Sequence, residues 1–119
     1  MEEQRLNNNV TVETFKESYG HSFKTLNLEW IEEFFVVEEE DLKILSNPKS
    51  YVIDKGGEIF FALKAGKVIG TSAMVLVKPK IFELAKMAVD KNFQGKGVGR
   101  ILINASIEFA RKRSATEVF

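Results

Sequence analysis

Three glycines crowd into one short segment, Gln94-Gly95-Lys96-Gly97-Val98-Gly99-Arg100. Glycine costs folding entropy and buries no side chain, so such crowding at the start of a helix is unfavourable unless the bare backbone is used. A strand, a glycine loop and a helix in this order aim backbone N–H groups at an anion, at the positive end of the helix dipole. Lys96 and Arg100 add positive charge. The segment therefore predicts a phosphate-binding loop, with an ordinary glycine-rich turn as the alternative.

The spacing of these glycines narrows the choice of phosphate ligand. A P-loop requires Gly-Lys followed by Ser or Thr, whereas Gly97 follows Lys96, so a Walker ATPase is disfavoured. A dinucleotide fold requires a third glycine where this chain has Arg100, and an antiparallel hairpin precedes the loop where a first βαβ unit should begin. Glu117 lies about 20 residues further on, as a ribose-binding acid would, but it opens a strand instead of ending one. Dinucleotide binding remains a competing interpretation.

Two helices are predicted ahead of the loop. The first has apolar residues at steps of three and four on one face and acids on the other. The apolar residues are Phe23, Leu26, Trp30, Ile31 and Phe34, and the acids are Glu29, Glu32 and Glu33. We expect Trp30 in the core, or with Phe34 at the border of a substrate groove, and His21 as a helix-start residue without chemistry. The second helix covers 38–45 and stops at Asn47-Pro48, because proline disfavours a helical residue before it.

The remaining periodicity is mostly extended. Residues 10–15 predict a short first strand, and the pattern turns from helical to extended after Pro48. The apolar run 59–63, with core residues Phe60 and Phe61, and the β-branched run 68–77 predict an antiparallel hairpin. The mostly apolar run 81–89 predicts a central strand. A helical stripe over 98–110 and the start of a further strand at 117–119 complete the pattern.

The motif strand and loop together resemble a known family. Phe82-Glu83-Leu84-Ala85-Lys86-Met87-Ala88-Val89-Asp90, followed by 94–99, is similar to the acetyl-CoA-binding motif of the GCN5-related N-acetyltransferase superfamily. The family pattern is Gln or Arg, two residues, Gly, one residue, and Gly or Ala, and Gln94, Gly97 and Gly99 match it. The resemblance covers nearly the whole chain. It implies one domain over 1–119 of α/β (α+β) class, with a mixed, mostly antiparallel sheet and helices on both faces.

The resemblance implies acetyl-CoA as cosubstrate. The loop amides of Gln94, Gly95, Lys96, Gly97, Val98, Gly99 and Arg100 are expected to hold the pyrophosphate of coenzyme A. Backbone groups of Met87, Ala88 and Val89 are expected to bond the pantetheine arm, where the motif strand splays from its neighbour. Family members transfer the acetyl group directly to an amine, so the absence of a cysteine nucleophile is no obstacle. A non-catalytic acyl-CoA-binding or interaction module is the alternative function.

Glu83 is the candidate general base. It is the one carboxylate on an otherwise apolar central strand, and it matches a glutamate that several family members use. The alternative is a structural acid that pairs with Lys80 or Lys86. Lys86 itself is expected to be a solvated strand residue.

The family domain continues past the fifth strand with a helix and two strands, which usually carry an Asn and a Tyr that serves as general acid. Those residues are absent here, and Tyr19 and Tyr51 lie too far from the matching region to replace them. We therefore expect a C-terminally incomplete domain. The unfinished sheet edge at Val118-Phe119 predicts a homodimer.

Composition bounds these interpretations. The chain has 119 residues, 45% of them hydrophobic, which suits one domain with one core. It has no cysteine and one histidine, which excludes disulfides, thiolate zinc sites and most histidine chemistry. No apolar run approaches the roughly 20 residues of a membrane span, and the first fifteen residues are too polar for a signal peptide. We expect a cytoplasmic protein whose partners include neither membrane nor nucleic acid.

The net charge of zero hides an asymmetry. Residues 1–41 have a net charge of −8 and residues 42–119 a net charge of +8. If the second part binds a polyanionic cosubstrate, the acidic first part can attract a cationic acceptor, either a small-molecule or a peptide amine. A solvated acidic helix face that also keeps the chain soluble is the alternative.

Overall fold

The computed structural model of the chain describes residues 9–119, which form one sheet with helices on both faces. The five strands lie in sequence order: β1 (Val10–Thr14), β2 (Glu58–Lys64), β3 (Lys67–Lys78), β4 (Ile81–Val89) and β5 (Glu117–Val118). All neighbouring strands run antiparallel except β4 and β5, which run parallel. The predicted mixed, mostly antiparallel sheet is confirmed. The 81–89 strand lies between β3 and β5 as an interior strand only at its start, because β5 pairs with Ile81 and Phe82 alone.

Within the described residues 9–119, three α-helices flank the sheet: α1 (Gly20–Phe34), α2 (Glu39–Ser46) and α3 (Val98–Lys112). α2 begins with a capping box, in which the Glu38 side chain accepts from the Asp41 amide and the Asp41 side chain accepts from the Glu38 amide. The expectation that the chain becomes extended directly after Pro48 is wrong, because Lys49–Ile53 forms a short π-helix. Pro48 has helical backbone angles and starts this turn, a position that proline tolerates. None of the helices within 9–119 is long and apolar enough to cross a membrane.

Alternation along β2 divides the core into two layers. Phe60 and Ala62 pack with Leu102 of α3, whereas Ile59 and Phe61 pack with Phe23 of α1 on the other face. This period of two is the reason why neighbouring Phe60 and Phe61 are both buried, as predicted. Helices on both faces are therefore confirmed.

Trp30 and Phe34 do not belong to either layer. Trp30 is 41% exposed and Phe34 is 55% exposed, so the expectation that Trp30 is a core residue is wrong. The apolar stripe of α1 continues through both positions, but Trp30 lies beside Met87 and Val89 at the end of β4, where cavities open between helix and strand. The alternative expectation, that they border a groove, describes Trp30 correctly.

Close packing of α3 on β3 sets the position of the glycine loop. A Cβ on Gly70 of β3 would lie 3.0 Å from side-chain atoms of Leu102 and of Val98. Glycine at this position therefore lets the first turn of α3 approach the sheet. A buried hydrogen bond of 2.9 Å between the hydroxyls of Ser72 and Ser106 holds the next turns against the same strand.

Candidate functional site

A bulge in β4 decides which backbone groups reach the edge of the strand. Leu84 pairs with Met74 and Lys86 pairs with Ala73, so Ala85 is an extra residue without a partner on β3. Before the bulge, Phe82 and Leu84 bond to Phe119, the residue after β5: the Phe119 amide donates to Phe82 O (3.1 Å) and the Leu84 amide donates to Phe119 O (2.8 Å).

After the bulge the alternation is reversed. The Asp90 amide donates to Ile69 O of β3 at 2.8 Å, so the groups of Ala88, two residues earlier, also face β3, opposite Thr71. The amides and carbonyls of Met87 and Val89 consequently face the opposite edge. Within residues 9–119, no strand pairs with β4 along that stretch. Of the three residues expected to bond the pantetheine arm, Met87 and Val89 thus present backbone groups outward, and Ala88 does not.

The glycine loop lies against this edge. The Gln94 side-chain amide donates to Val89 O at 3.1 Å, which ties the loop to the end of β4. Gly95 and Gly97 have φ angles of +75° and +89°, which side chains rarely adopt, so the loop needs glycine at both positions. A Cβ on Gly95 would meet nothing within 4 Å, so space lies open beside the backbone there.

The start of α3 supplies donors and positive charge. Its first intrahelical bond is from the Ile101 amide to Gly97 O at 3.2 Å, so the amides of residues 98–100 are the unpaired donors of a helix N-terminus. The Val98 side chain is buried in the core, so this residue can act at the site only through its backbone. Lys96 and Arg100 are exposed and have no acidic partner in the described part of the chain. These donors and charges are of the kind that binds an anion at a helix start, and residues 94–100 are here called the anion cradle.

On the other side of β4, a cavity of about 260 Å³ opens between the strand and the helices α1 and α2. Its lining comprises Asn27, Trp30, Ile31, Phe35, Val36, Glu38, Asp41, Ala85, Lys86 and Met87. The cavity thus reaches Met87, whose backbone also faces the loop edge. One residue of β4 therefore joins the two halves of the candidate site.

An ion pair crosses this cavity from strand to helix. Lys86 Nζ lies 2.9 Å from Asp41 Oδ1, and the two side chains are only 17% and 19% exposed. The Lys86 ammonium, and secondarily the Glu38 amide, hold the pKa of Asp41 below its ordinary value. The expectation that Lys86 is solvated is therefore wrong: α2 brings a carboxylate to it from 45 residues away.

A second ion pair links α1 to the loop region. Lys91 Nζ, just ahead of the loop, lies 3.2 Å from Glu33 Oε2. Trp30, one turn earlier on α1, stacks on Phe34 with ring centroids 4.4 Å apart. The C-terminal half of α1 therefore borders both the cavity and the loop.

Glu83 is half-buried on β4, opposite Val75 of β3. Val75 packs with the α1 layer, so Glu83 faces that side of the sheet. Neither Lys80 nor Lys86 pairs with it in the described structure, and Lys86 is bound to Asp41 instead. Glu83 is not among the residues that line the cavity.

A larger cavity, of about 420 Å³, lies at the other end of α1 and includes His21, Lys24 and Lys49 in its lining. It shares no residue with the loop or with the smaller cavity. His21 is the second residue of α1, as expected, and its ring nitrogen lies 3.4 Å from the Thr25 hydroxyl. Volume alone therefore does not mark the site, since the anion cradle lies elsewhere.

Comparison with known proteins shows the family of this chain. A sequence model of the Acetyltransferase (GNAT) family matches residues 12–119. The chain belongs to the GNAT family. GNAT relatives among curated proteins include N-acetyltransferase 8 of Rattus norvegicus, 29% identical over 75 residues, which are 59% of this chain and 34% of that protein. The uncharacterized N-acetyltransferase YvbK of Bacillus subtilis is 28% identical over 81 residues, 66% of this chain and 52% of that protein. The chain thus spans about a third to a half of the length of these relatives.

Solved structures agree on the GNAT fold. A GNAT acetyltransferase of Staphylococcus aureus Mu50 superposes with a TM-score of 0.80 at 18% identity, covering 88% of this chain and 68% of that one. The aminoglycoside acetyltransferase meta-AAC0020 from an uncultured soil metagenomic sample, in complex with sisomicin, gives 0.71 at 23% identity and covers 96% and 78%. The predicted family and fold are confirmed.

Proposed function

We propose that the chain is an acetyl-CoA-dependent N-acetyltransferase that acts on a primary amine. The observation that carries this proposal is the anion cradle at the start of α3, joined by the bond from Gln94 to Val89 O to an outward-facing stretch of β4. A phosphate group and an extended amide arm on one ligand fit those two surfaces. Membership of the GNAT family supports the same conclusion.

The residues present fit coenzyme A. The amides of residues 94–100 take the pyrophosphate, and Lys96 and Arg100 add charge at the rim. Backbone groups of Met87 and Val89 take the amides of the pantetheine arm, which requires the Gln94 side chain to share or release Val89 O. When bound, acetyl-CoA supplies an activated acetyl thioester.

Glu83 takes the proton that the acceptor nitrogen loses. Glu83 is the single acidic residue of β4, and its carboxylate has no cationic partner in the described structure. Because Glu83 does not line the cavity, the proton reaches it through a water or after a small adjustment of the site.

The acceptor is a cationic amine. Glu29, Glu32 and Glu33 lie on α1, where Glu29 and Glu33 line a small cavity with Gln94, and Glu38, Glu39, Glu40 and Asp41 lie at the start of α2. Lysines pair with Glu33, Glu40 and Asp41, which leaves four acids without a cationic partner in the described residues. This density of negative charge raises the local concentration of a protonated amine. One structural neighbour is an aminoglycoside acetyltransferase in complex with sisomicin. An acetyl-transfer screen over polyamines, amino acids, aminoglycosides and peptides tests the class, and a preference for an anionic amine that survives Glu32→Lys would contradict it.

Calorimetry of the chain with acetyl-CoA and with NADH tests the cosubstrate. We expect binding of acetyl-CoA and none of NADH, and the reverse result would return the dinucleotide interpretation. If acetyl-CoA binds but no amine in a broad panel is acetylated, the chain is an acyl-CoA-binding module.

Two further expectations stay predictions. The homodimer can be tested by light scattering, and the other prediction is a cytoplasmic location.

A further inference from the structure

An unusual run of exposed apolar side chains ends α1. Trp30, Phe34, Phe35 and Val36, here called the aromatic rim, are 41%, 55%, 65% and 84% exposed. Apolar residues scattered singly over a surface need no explanation, but a contiguous group of this kind marks a place where something binds. We therefore expect a ligand to cover the aromatic rim.

The residues around the aromatic rim indicate the chemistry of that ligand. Trp30, Phe35 and Val36 line the 260 Å³ cavity, together with the apolar Ile31, Ala85 and Met87. The cavity has three charged residues, and two of them, Asp41 and Lys86, neutralise each other. Glu38 caps α2 by accepting from the Asp41 amide, and its carboxylate has no cationic partner in residues 9–119. The cavity thus combines aromatic walls with one net negative charge.

We infer that the acceptor is a monoamine whose protonated nitrogen is attached to an aromatic or apolar body of about one ring. This inference rests on the proposed function and selects within it. An ammonium group is attracted both to the Glu38 carboxylate and to the faces of the rim's rings. An apolar body covers the rim, whereas a polyamine or an aminoglycoside leaves it in water. An enclosed cavity of about 150 Å³ holds a benzene, so this open one of about 260 Å³ has room for one ring with a short aliphatic amine.

Trp30 makes the inference testable without catalysis. It is the single tryptophan of the chain, so its emission reports occupancy of the rim directly. We expect 2-phenylethylamine to change Trp30 emission saturably, with an affinity at least tenfold above that of spermidine. 3-Phenylpropionate, which has the same ring but a negative charge, should bind at least tenfold more weakly than 2-phenylethylamine, and Glu38→Gln should narrow that difference.

Two variants test the location. Phe35→Ala removes one wall and should weaken the binding of 2-phenylethylamine about tenfold. Ile107→Ala is the control, since Ile107 is also an exposed apolar residue (40%, against 65% for Phe35) but lies on α3, across the sheet. Equal effects of the two variants, or spermidine binding as tightly as 2-phenylethylamine, would overturn the inference.

Failure of this inference can be told apart from failure of the proposed function. If acetyl-CoA binds and polyamines are acetylated while 2-phenylethylamine leaves Trp30 emission unchanged, the function stands and the acceptor class is wrong. If 2-phenylethylamine binds as expected but acetyl-CoA does not, the ligand class of the rim stands and the transferase function is wrong.

Discussion

The two sides of β4 are built by different means. The anion cradle comes from one contiguous segment, residues 94–100, and acts through backbone groups. The cavity opposite comes from side chains of α1, α2 and β4, and its central ion pair joins residues 45 positions apart. The first is fixed by local conformation, and the second depends on how three elements pack.

This difference sets the freedom of each side to change. In the cradle, Gly95 and Gly97 have positive φ angles and residues 98–100 start a helix, so most of its sequence is tightly constrained. The cavity wall needs only side chains of suitable size and charge, so its specificity can change while the fold remains. The following predictions test whether the two sides are separable in this way.

The largest effect is expected in the cradle. Gly97→Asp places a side chain and a negative charge where a phosphate must approach, so the affinity for acetyl-CoA should fall more than 100-fold in calorimetry. Gly66→Asp is the matched control, because Gly66 also has a positive φ (+79°), in the turn between β2 and β3, with nothing near its Cβ position. Both variants bear a similar backbone cost, of about 1 to 2 kcal/mol. Equal loss of binding in both would show that strain, and not the cradle, is responsible.

Glu83→Gln should have the next largest effect. Loss of a general base typically lowers kcat about 100-fold, with little change in the affinity for acetyl-CoA. Glu117→Gln, on the neighbouring strand β5, controls for the loss of a carboxylate in this part of the sheet. An unchanged rate at neutral pH would make Glu83 a structural residue and leave proton removal to water.

The same division explains what could be predicted from the sequence. The strand over 81–89 and the glycine loop follow from local apolar runs and from residues with special backbone freedom. The exposure of Trp30 could not be predicted, because periodicity shows which face of a helix is apolar but not where the sheet beneath it ends. Nor could the pair between Asp41 and Lys86, since each residue separately resembles a surface charge. The signal that could have suggested it is a lone lysine in a central apolar strand, which needs a carboxylate partner if it is buried.

Breaking that ion pair should have the smallest effect of the three, and should act on stability. Lys86→Met keeps the aliphatic stem and leaves Asp41 unpaired, and Asp41→Asn keeps an oxygen for the Glu38 amide. Each should lower the free energy of unfolding at pH 7 by about 2 kcal/mol, the usual contribution of a charged hydrogen bond. In the double variant the two losses should not add, because both single variants remove the same contact. Additive losses would show that the two side chains act independently.

The pH dependence of this effect has a definite sign. The pKa of Asp41 is held below its ordinary value of 3.8, first by Lys86, so its ionised form is favoured in the folded chain. The stabilisation is therefore fully present well above pH 3.8 and is lost as the pH falls through the lower pKa of the folded state. Denaturant unfolding of the wild type and of Asp41→Asn should thus differ by a constant amount near neutral pH and converge under acid conditions. A difference that persists undiminished to the lowest pH would mean that Asp41 stabilises the chain by packing. The packing of α2 against β4 at Asp41 would then depend on the shape of the side chain and not on its charge.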